Sequence, residues 1–108
     1  MTARLTDDYR NDLLKRLKNS KFALGYLNEC LKDPNEGVFL LALRDVAEAH
    51  GGFKKLAAKS KLNREHLFRI LSRKGNPRLN TLRNLATAFG WNLALVAKHK
   101  VSQLRRAA

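Results

Sequence analysis

Apolar residues recur at intervals of three and four along most of the chain, and this spacing predicts a series of amphipathic helices. The first helix, of about three turns, should begin near Asp7 and Asp8, because acidic residues are typical of a helix start. The second should begin at Ser20, whose hydroxyl can cap it. The side chains expected to face inward from this second helix are Ala23, Leu27, Cys30 and Leu31.

The clearest helix start lies at residues 33–36, where Asp33 is expected to cap a third helix and Pro34 suits its first position. This helix is apolar over so wide an arc that most of its surface should be buried. It is therefore predicted to be the central helix of the core. His50 and the two glycines that follow should end it, because glycine readily adopts the positive φ of a tight connection.

Two short helices joined by a turn are predicted between residues 53 and 72. The first has apolar residues at i, i+3 and i+4 from Phe53, with lysines on its outer side. Asn63 is a good cap for the second, whose inward side chains should be Leu67, Ile70 and Leu71. This arrangement is typical of a helix-turn-helix.

A last helix is predicted from an Asn80 cap to a stop at Gly90, and it should support the motif. Residues 91–97 fit either a strand or a helix. A short strand is slightly favoured, because strand pairing between two copies would cover an exposed apolar segment. The expected dimer contacts are Trp91, Leu93 and Leu95.

Together these elements predict an all-α fold of about five to six helices, with a short C-terminal strand as an option. A chain of 108 residues, 44% of them hydrophobic, can bury one modest core, so residues 1–108 should form a single domain. Within it we expect N-terminal helices over 8–50, the helix-turn-helix and its support helix over 53–90, and a dimerisation segment and basic tail over 91–108. No apolar run suits a membrane span or signal peptide, and one cysteine cannot form an internal disulfide, so a cytoplasmic protein is expected.

Charge divides the chain into two unlike halves. Residues 1–50 contain eight Lys or Arg and eight Asp or Glu, whereas the rest contains fourteen Lys or Arg and one acid, Glu65. The whole formal net charge of +13 therefore lies on the half that contains the predicted motif. Such a basic face favours a polyanionic partner, above all nucleic acid, although an anionic membrane surface or simple solubility would also use positive charge.

A helix-turn-helix places the first two turns of its second helix against base edges in the major groove. Arg64, Glu65 and Arg69 are therefore the first candidates to read bases, with Arg suited to guanine and Glu to cytosine. His66 and Phe68 rank second, and Phe68 is equally compatible with a partly buried core position. Phosphate contacts are predicted for the flanking basic residues, although each could simply be solvated: Lys54, Lys55, Lys59, Lys61, Arg73, Lys74 and Arg78.

Catalytic chemistry has little support in the sequence. The three histidines, His50, His66 and His99, are spread along the chain. No paired carboxylates, metal-ligand spacing or glycine-rich phosphate loop occurs. We therefore expect neither an enzyme nor a metal or organic cofactor.

Several segments of the sequence resemble lambda-repressor-like helix-turn-helix regulators: residues 56–59, residues 62–72, Gly75-Asn76-Pro77 and Thr81-Leu82. More narrowly, the chain resembles the addiction-module antidote proteins related to HigA-type antitoxins. Tyr26-Leu27 and residues 42–47 leading into Gly51-Gly52 strengthen this match, which covers about residues 10–97. The resemblance implies a DNA-binding domain that acts as a homodimer on a palindromic operator in its own promoter. It also implies a partner, a RelE/HigB-like ribonuclease toxin.

Three functions stay open at this point. The first is a sequence-specific transcriptional repressor that serves as the antitoxin of a type II toxin-antitoxin module. The second is an interaction module in which the helices of residues 8–50 clamp the toxin and DNA binding is secondary. The third is a phage or plasmid repressor that has no toxin.

Overall fold

A computed structural model describes residues 7–98 of the chain. They form six helices: α1 (Asp7–Leu17), α2 (Ser20–Leu31), α3 (Glu36–Ala49), α4 (Gly52–Ser60), α5 (Arg64–Ile70) and α6 (Leu79–Ala88). The predicted all-α fold is therefore confirmed. His99 and the basic tail predicted after it lie outside the described residues.

The predicted central role of α3 is confirmed, because this helix packs against α1, α2 and α4. Its side chains Leu40, Leu43 and Val46 are buried, as the wide apolar arc requires. Helix α4 in turn packs against α5 and α6. Each of the other helices adds leucines to the same core, among them Leu17, Leu27, Leu56, Leu67 and Leu85.

A buried ion pair fixes α1 against α3. Asp45 is only 1% exposed, and its Oδ1 accepts a hydrogen bond of 2.9 Å from Nη1 of Arg10. Glu48 accepts from the other terminal nitrogen of the same guanidinium. Partial burial lowers the pKa of Arg10, but the hydrogen bonds and charges of both acids outweigh this effect and raise it above its ordinary value. Arg10 therefore supplies the partner that a buried carboxylate needs.

The glycines after α3 behave as the sequence predicts. His50 ends the helix, and Gly51 and Gly52 have positive φ angles of 109° and 84°. The imidazole Nε2 of His50 lies 2.7 Å from the carbonyl oxygen of Leu17, and its ring meets that of Phe89 edge to face. This connection therefore joins the ends of α1, α3 and α6.

Two predicted caps are displaced by one or two residues. Asn19, not Ser20, caps α2, since its side-chain oxygen accepts from the amide of Phe22. Asn35, not Asp33, caps α3. The carboxylate of Asp33 instead accepts from the amide of Asn35 and closes a local turn, which leaves Asn35 in the extended conformation that a capping residue needs.

The start of α6 also differs from the prediction. Asn80 lies inside the helix, whose N-cap is Arg78 and makes no side-chain capping bond. Residues 78–80 are exposed, so water can satisfy the first amides of the helix without a polar cap. The predicted stop at Gly90 is supported by its φ of 86°, directly after the cap residue Phe89.

The segment after α6 is neither strand nor helix: residues 91–97 are irregular, and residues 7–98 contain no strand. The favoured strand is therefore wrong for the single chain, because a strand needs a neighbour to pair its amide and carbonyl groups. Trp91 packs on Phe89 with ring centres 5.2 Å apart, whereas Leu93 is exposed and Leu95 is fully exposed. No helix within residues 7–98 combines the length and the apolar content of a membrane span.

Candidate nucleic-acid interface

A three-residue turn carries the chain from α4 to α5. Ser60 is buried and closes α4 by donating its hydroxyl to the carbonyl oxygen of Leu56 at 2.7 Å. Lys61 then adopts a left-handed φ of 59°, and the amide of Leu62 donates to the carbonyl oxygen of Ala57. Asn63 caps α5 as predicted, its side-chain oxygen accepting from the amide of His66 at 3.0 Å.

Helix α5 has one buried and one exposed face. Leu67 and Ile70 point into the core, and Leu71 directly after the helix is also buried, as predicted. The predicted base-reading residues lie on the other face, where Arg64, Glu65, Phe68 and Arg69 are exposed and His66 is half-buried. The core position considered for Phe68 is wrong, because 58% of this residue is exposed.

Most of the predicted reading residues border one shallow hollow on the outer face of α5. The hollow is lined by Asn63, Glu65, His66, Phe68 and Arg69, and Arg64 lies outside it. Within it, Nη2 of Arg69 lies 3.4 Å from Nδ1 of His66, which can accept from the guanidinium in the tautomer that leaves Nδ1 without a proton. A cation, an anion and an aromatic ring therefore share this surface. Side chains of these types contact the edges of bases in the major groove.

Arg44 of α3 also lies at this surface, although apolar spacing gives it no role. Its guanidinium carbon is 4.5 Å from the centre of the Phe68 ring, and its Nη2 donates to the main-chain oxygen of Phe68 at 3.0 Å. The rings of Phe53 and Phe68 meet edge to face, 5.7 Å apart. The signal in the sequence that could have pointed to Arg44 is its position, because it is a cation within α3, the most apolar of the predicted helices.

The predicted phosphate-contacting residues are all exposed, but they do not form a single group. Lys55 and Lys59 border a separate cavity of about 460 Å³ that also contacts His50, Ala88 and Phe89. Lys61 lies in the turn directly before α5, and Lys54 follows Phe53 on α4. Arg73, Lys74 and Arg78 lie in the loop that follows α5.

Two glycines hold this basic loop close to the rest of the domain. A Cβ atom at Gly75 would lie 1.9 Å from the carbonyl oxygen of Ile70, a distance that no side chain can accept. At Gly37, in the first turn of α3, a Cβ atom would lie 2.6 Å from the carbonyl oxygen of Arg73. The loop is thus packed against the end of α5 and the start of α3, which fixes where its cations stand relative to α5.

A second surface lies where α2 and α3 meet α6 and the segment after it. We call it the apolar groove, lined by Leu24, Leu31, Phe39, Leu82 and Leu93. The prediction that Leu31 faces inward is wrong, because α2 ends there and the residue is 58% exposed at the edge of this groove. The groove encloses a narrow cavity of about 80 Å³ and shares three of its residues with a wider hollow of about 240 Å³. Asp33 and Glu36 line that hollow.

The described residues therefore define a six-helix domain with a short exposed helix held on its basic half. No group of three or more His, Cys, Asp or Glu side chains within residues 7–98 is arranged to hold a metal ion.

The chain belongs to the family described as "Probable addiction module antidote protein", whose sequence profile matches residues 8–97. An uncharacterized protein of Haemophilus influenzae is 33% identical to it over 89 residues, which cover 82% of this chain and 88% of the relative. No solved structure is significantly similar to the chain. The family predicted from the sequence is therefore confirmed.

Proposed function

We propose that this antidote protein is a sequence-specific DNA-binding repressor of its own promoter and the antitoxin of a type II toxin-antitoxin module. The observation that carries the DNA-binding part is the exposed face of α5. Four exposed side chains and one half-buried histidine stand there on a helix fixed to the core. The half of the chain that contains α5 has fourteen Lys or Arg and a single acid.

In the proposed complex α4 and α5 act as a helix-turn-helix, with α5 in the major groove. Arg64, Glu65 and Arg69 read base edges, and His66 and Phe68 contribute from the same face. The loop cations Arg73, Lys74 and Arg78, together with Lys54 and Lys61, contact phosphates and set the orientation of the domain. Lys55 and Lys59, which border a different cavity, add only general attraction.

Two copies bind together in this proposal. Leu93 and Leu95 are exposed apolar side chains directly after Trp91, and a second copy would remove them from water. A two-fold dimer would then present two α5 helices to a palindromic operator, about one helical turn of DNA apart.

The test is a comparison of two duplexes, the DNA upstream of the gene and a shuffled duplex of equal composition. Affinity for the upstream DNA should exceed that for the shuffled DNA by about a thousandfold or more at physiological salt. Both affinities should fall steeply as salt rises. Equal affinity for the two duplexes would contradict the proposed repressor function.

Toxin neutralisation, the second proposed function, is favoured by the apolar groove and the acids beside it. Exposed leucines next to Asp33 and Glu36 suit a partner segment that combines apolar and basic side chains. The part of the groove formed by Leu24, Leu31, Phe39 and Leu82 is thus the proposed toxin site.

Co-expression with the neighbouring small reading frame tests this site. If that frame encodes a toxin, the wild-type chain should relieve its toxicity and Leu31→Glu should not. The matched control is Leu79→Glu, which changes a leucine that is 65% exposed but does not line the groove. A neighbouring frame without toxicity would favour a phage or plasmid repressor, and equal protection by both variants would exclude the groove.

A further inference from the structure

Arg44 connects three helices from the middle of α3. Its guanidinium carbon lies 4.5 Å from the centre of the Phe68 ring on α5 and 5.8 Å from that of Phe53 on α4. Its Nη2 donates to the main-chain oxygen of Phe68 in the last turn of α5. A cation at the carboxyl end of a helix also interacts favourably with the helix dipole.

This position is costly for an arginine. The Nε atom of Arg44 is buried and has no hydrogen-bond partner. A buried N–H group without an acceptor lowers stability, so an apolar side chain of similar length would suit a purely structural position better. The contacts of the guanidinium with Phe68 must therefore offset this cost.

The Phe68 ring is the group on which these contacts act. It stands on the outer face of α5, 58% exposed, where an unsupported aromatic side chain would change rotamer freely. The guanidinium stacks on the ring, and Phe53 holds it edge to face at an interplanar angle of 83°. The bond to the Phe68 carbonyl also supports a helix of seven residues, which is too short to be stable alone.

We infer that Arg44 is a positioning residue for base reading, and this inference rests on the proposed DNA-binding function. It holds the Phe68 ring and the last turn of α5 in the orientation that the outer face needs to meet base edges. The guanidinium of Arg44 is directed at α5, since it lies over the Phe68 ring and its Nη2 donates to the Phe68 carbonyl, so its role is assigned to positioning. It therefore acts on discrimination between DNA sequences rather than on overall attraction to DNA.

Two substitutions separate these roles: Arg44→Met removes the guanidinium and Arg44→Lys keeps the charge. The matched control is Arg83→Met, which removes an exposed cation of α6. Both Arg44 variants should lower the ratio of upstream to shuffled DNA affinity by about tenfold, the size of one lost base contact. Arg83→Met should leave this ratio unchanged. The inference would be overturned if Arg44→Lys discriminated between the two duplexes as well as the wild type does. It would also be overturned if Arg44→Met lost the same affinity for both duplexes and its binding depended less on salt.

A double-mutant cycle tests whether Arg44 acts through Phe68. Phe68→Leu should itself lower the discrimination ratio. Adding Arg44→Met to Phe68→Leu should then lower the ratio by clearly less than Arg44→Met does alone, because the ring is already absent and only the bond to the main-chain oxygen of residue 68 is left to lose. Fully additive losses would show that Arg44 does not act through Phe68.

Amide hydrogen exchange in the free protein provides a readout without DNA. Exchange at residues 67–71 should be faster in both Arg44 variants than in Arg83→Met, while the amides of α3 stay protected.

If Arg44→Met does not fold, Arg44→Lys and Phe68→Leu carry the test. A wild-type chain that binds both duplexes equally refutes the proposed function, and exchange still decides whether Arg44 positions α5. If the wild-type chain discriminates between the duplexes and the Arg44 variants do so equally well, the inference fails and the proposed function stands.

Discussion

The two halves of this protein use charge in opposite ways. Within residues 7–98 all ion pairs lie in the first half, where Arg10 meets Asp45 and Glu48, Arg16 meets Asp12, and Lys32 meets Glu29. The second half contains a single acid, Glu65, and no ion pair forms among its described residues. Three of the seven described cations of the first half are therefore paired with a carboxylate, whereas no described cation of the second half is, and these remain available to an external polyanion.

In this protein the distribution of charge is more informative than the net charge. A total of +13 spread evenly would make the whole surface attractive to nucleic acid. Here the basic half contains the exposed face of α5, whereas the apolar groove is formed by α2 and α3 of the neutral half together with uncharged residues of α6 and the segment after it. The two proposed partners, DNA and a toxin, would thus meet different surfaces of one small domain.

The largest expected effect is that of replacing loop cations. Changing Arg73, Lys74 and Arg78 together to Gln should lower operator affinity by roughly one to three orders of magnitude and reduce the salt slope by about 2 to 3. The matched variant changes Lys15, Lys18 and Lys21 to Gln, so it loses the same charge from the exposed surface of the first half. Titrations at several salt concentrations compare the two. Equal losses would mean that net charge alone drives binding.

Arg69→Ala should have the next largest effect. Its exposed guanidinium stands on the outer face of α5, and its loss should cost about 1 to 3 kcal/mol of operator binding and relax base preference at one position. Arg83→Ala is the control for loss of a cation in the same half. The measurement is affinity for a set of operator variants that each carry one changed base pair. Unchanged preferences would exclude Arg69 as a reader.

The ion pair of the first half should affect stability and not DNA binding. Asp45→Asn removes the charge that faces Arg10, and it should lower the free energy of unfolding by about 1 to 2 kcal/mol, a value reduced by the partial exposure of Arg10. Urea denaturation measures this loss. The salt slope of DNA binding should stay at its wild-type value, and a change in it would mean that the two halves are electrostatically coupled.

The smallest expected effect distinguishes two asparagines of the second half. Asn63 caps α5, so Asn63→Ala should cost about 1 kcal/mol of stability. Asn80 lies inside α6 and makes no capping bond, so Asn80→Ala should change stability by less than about 0.5 kcal/mol. Thermal unfolding of both variants tests the difference. A larger loss at Asn80 would contradict the observed start of α6.

Apolar spacing was sufficient to predict all six helices and the central role of α3, because burial of a continuous apolar face dominates the formation of each helix. It was not sufficient to choose between neighbouring caps. Ser20 and Asn19 can both cap α2, and Asp33 and Asn35 can both cap α3. The backbone path into each helix decides which of the two adopts the extended conformation.

Features that depend on packing between distant segments could not be predicted. The exposure of Leu31 follows from where α2 ends relative to α3, and the role of Arg44 follows from the approach of α3 to α5. Residues 91–97 could not be assigned as a strand, because a strand exists only with a partner that the single chain does not contain. The exposure of Arg64, Glu65 and Arg69 was predictable, because helical period alone separates the outer residues of α5 from Leu67 and Ile70.

That separation has an evolutionary consequence. Leu67 and Ile70 tie α5 to the core, whereas Arg64, Glu65 and Arg69 stand in solvent on its other side. Substitution of an exposed helical residue usually changes stability little. Under the proposed DNA-binding function, descendants of one ancestral gene can therefore exchange these outer residues, acquire new operators and avoid cross-regulation while the same scaffold is inherited intact.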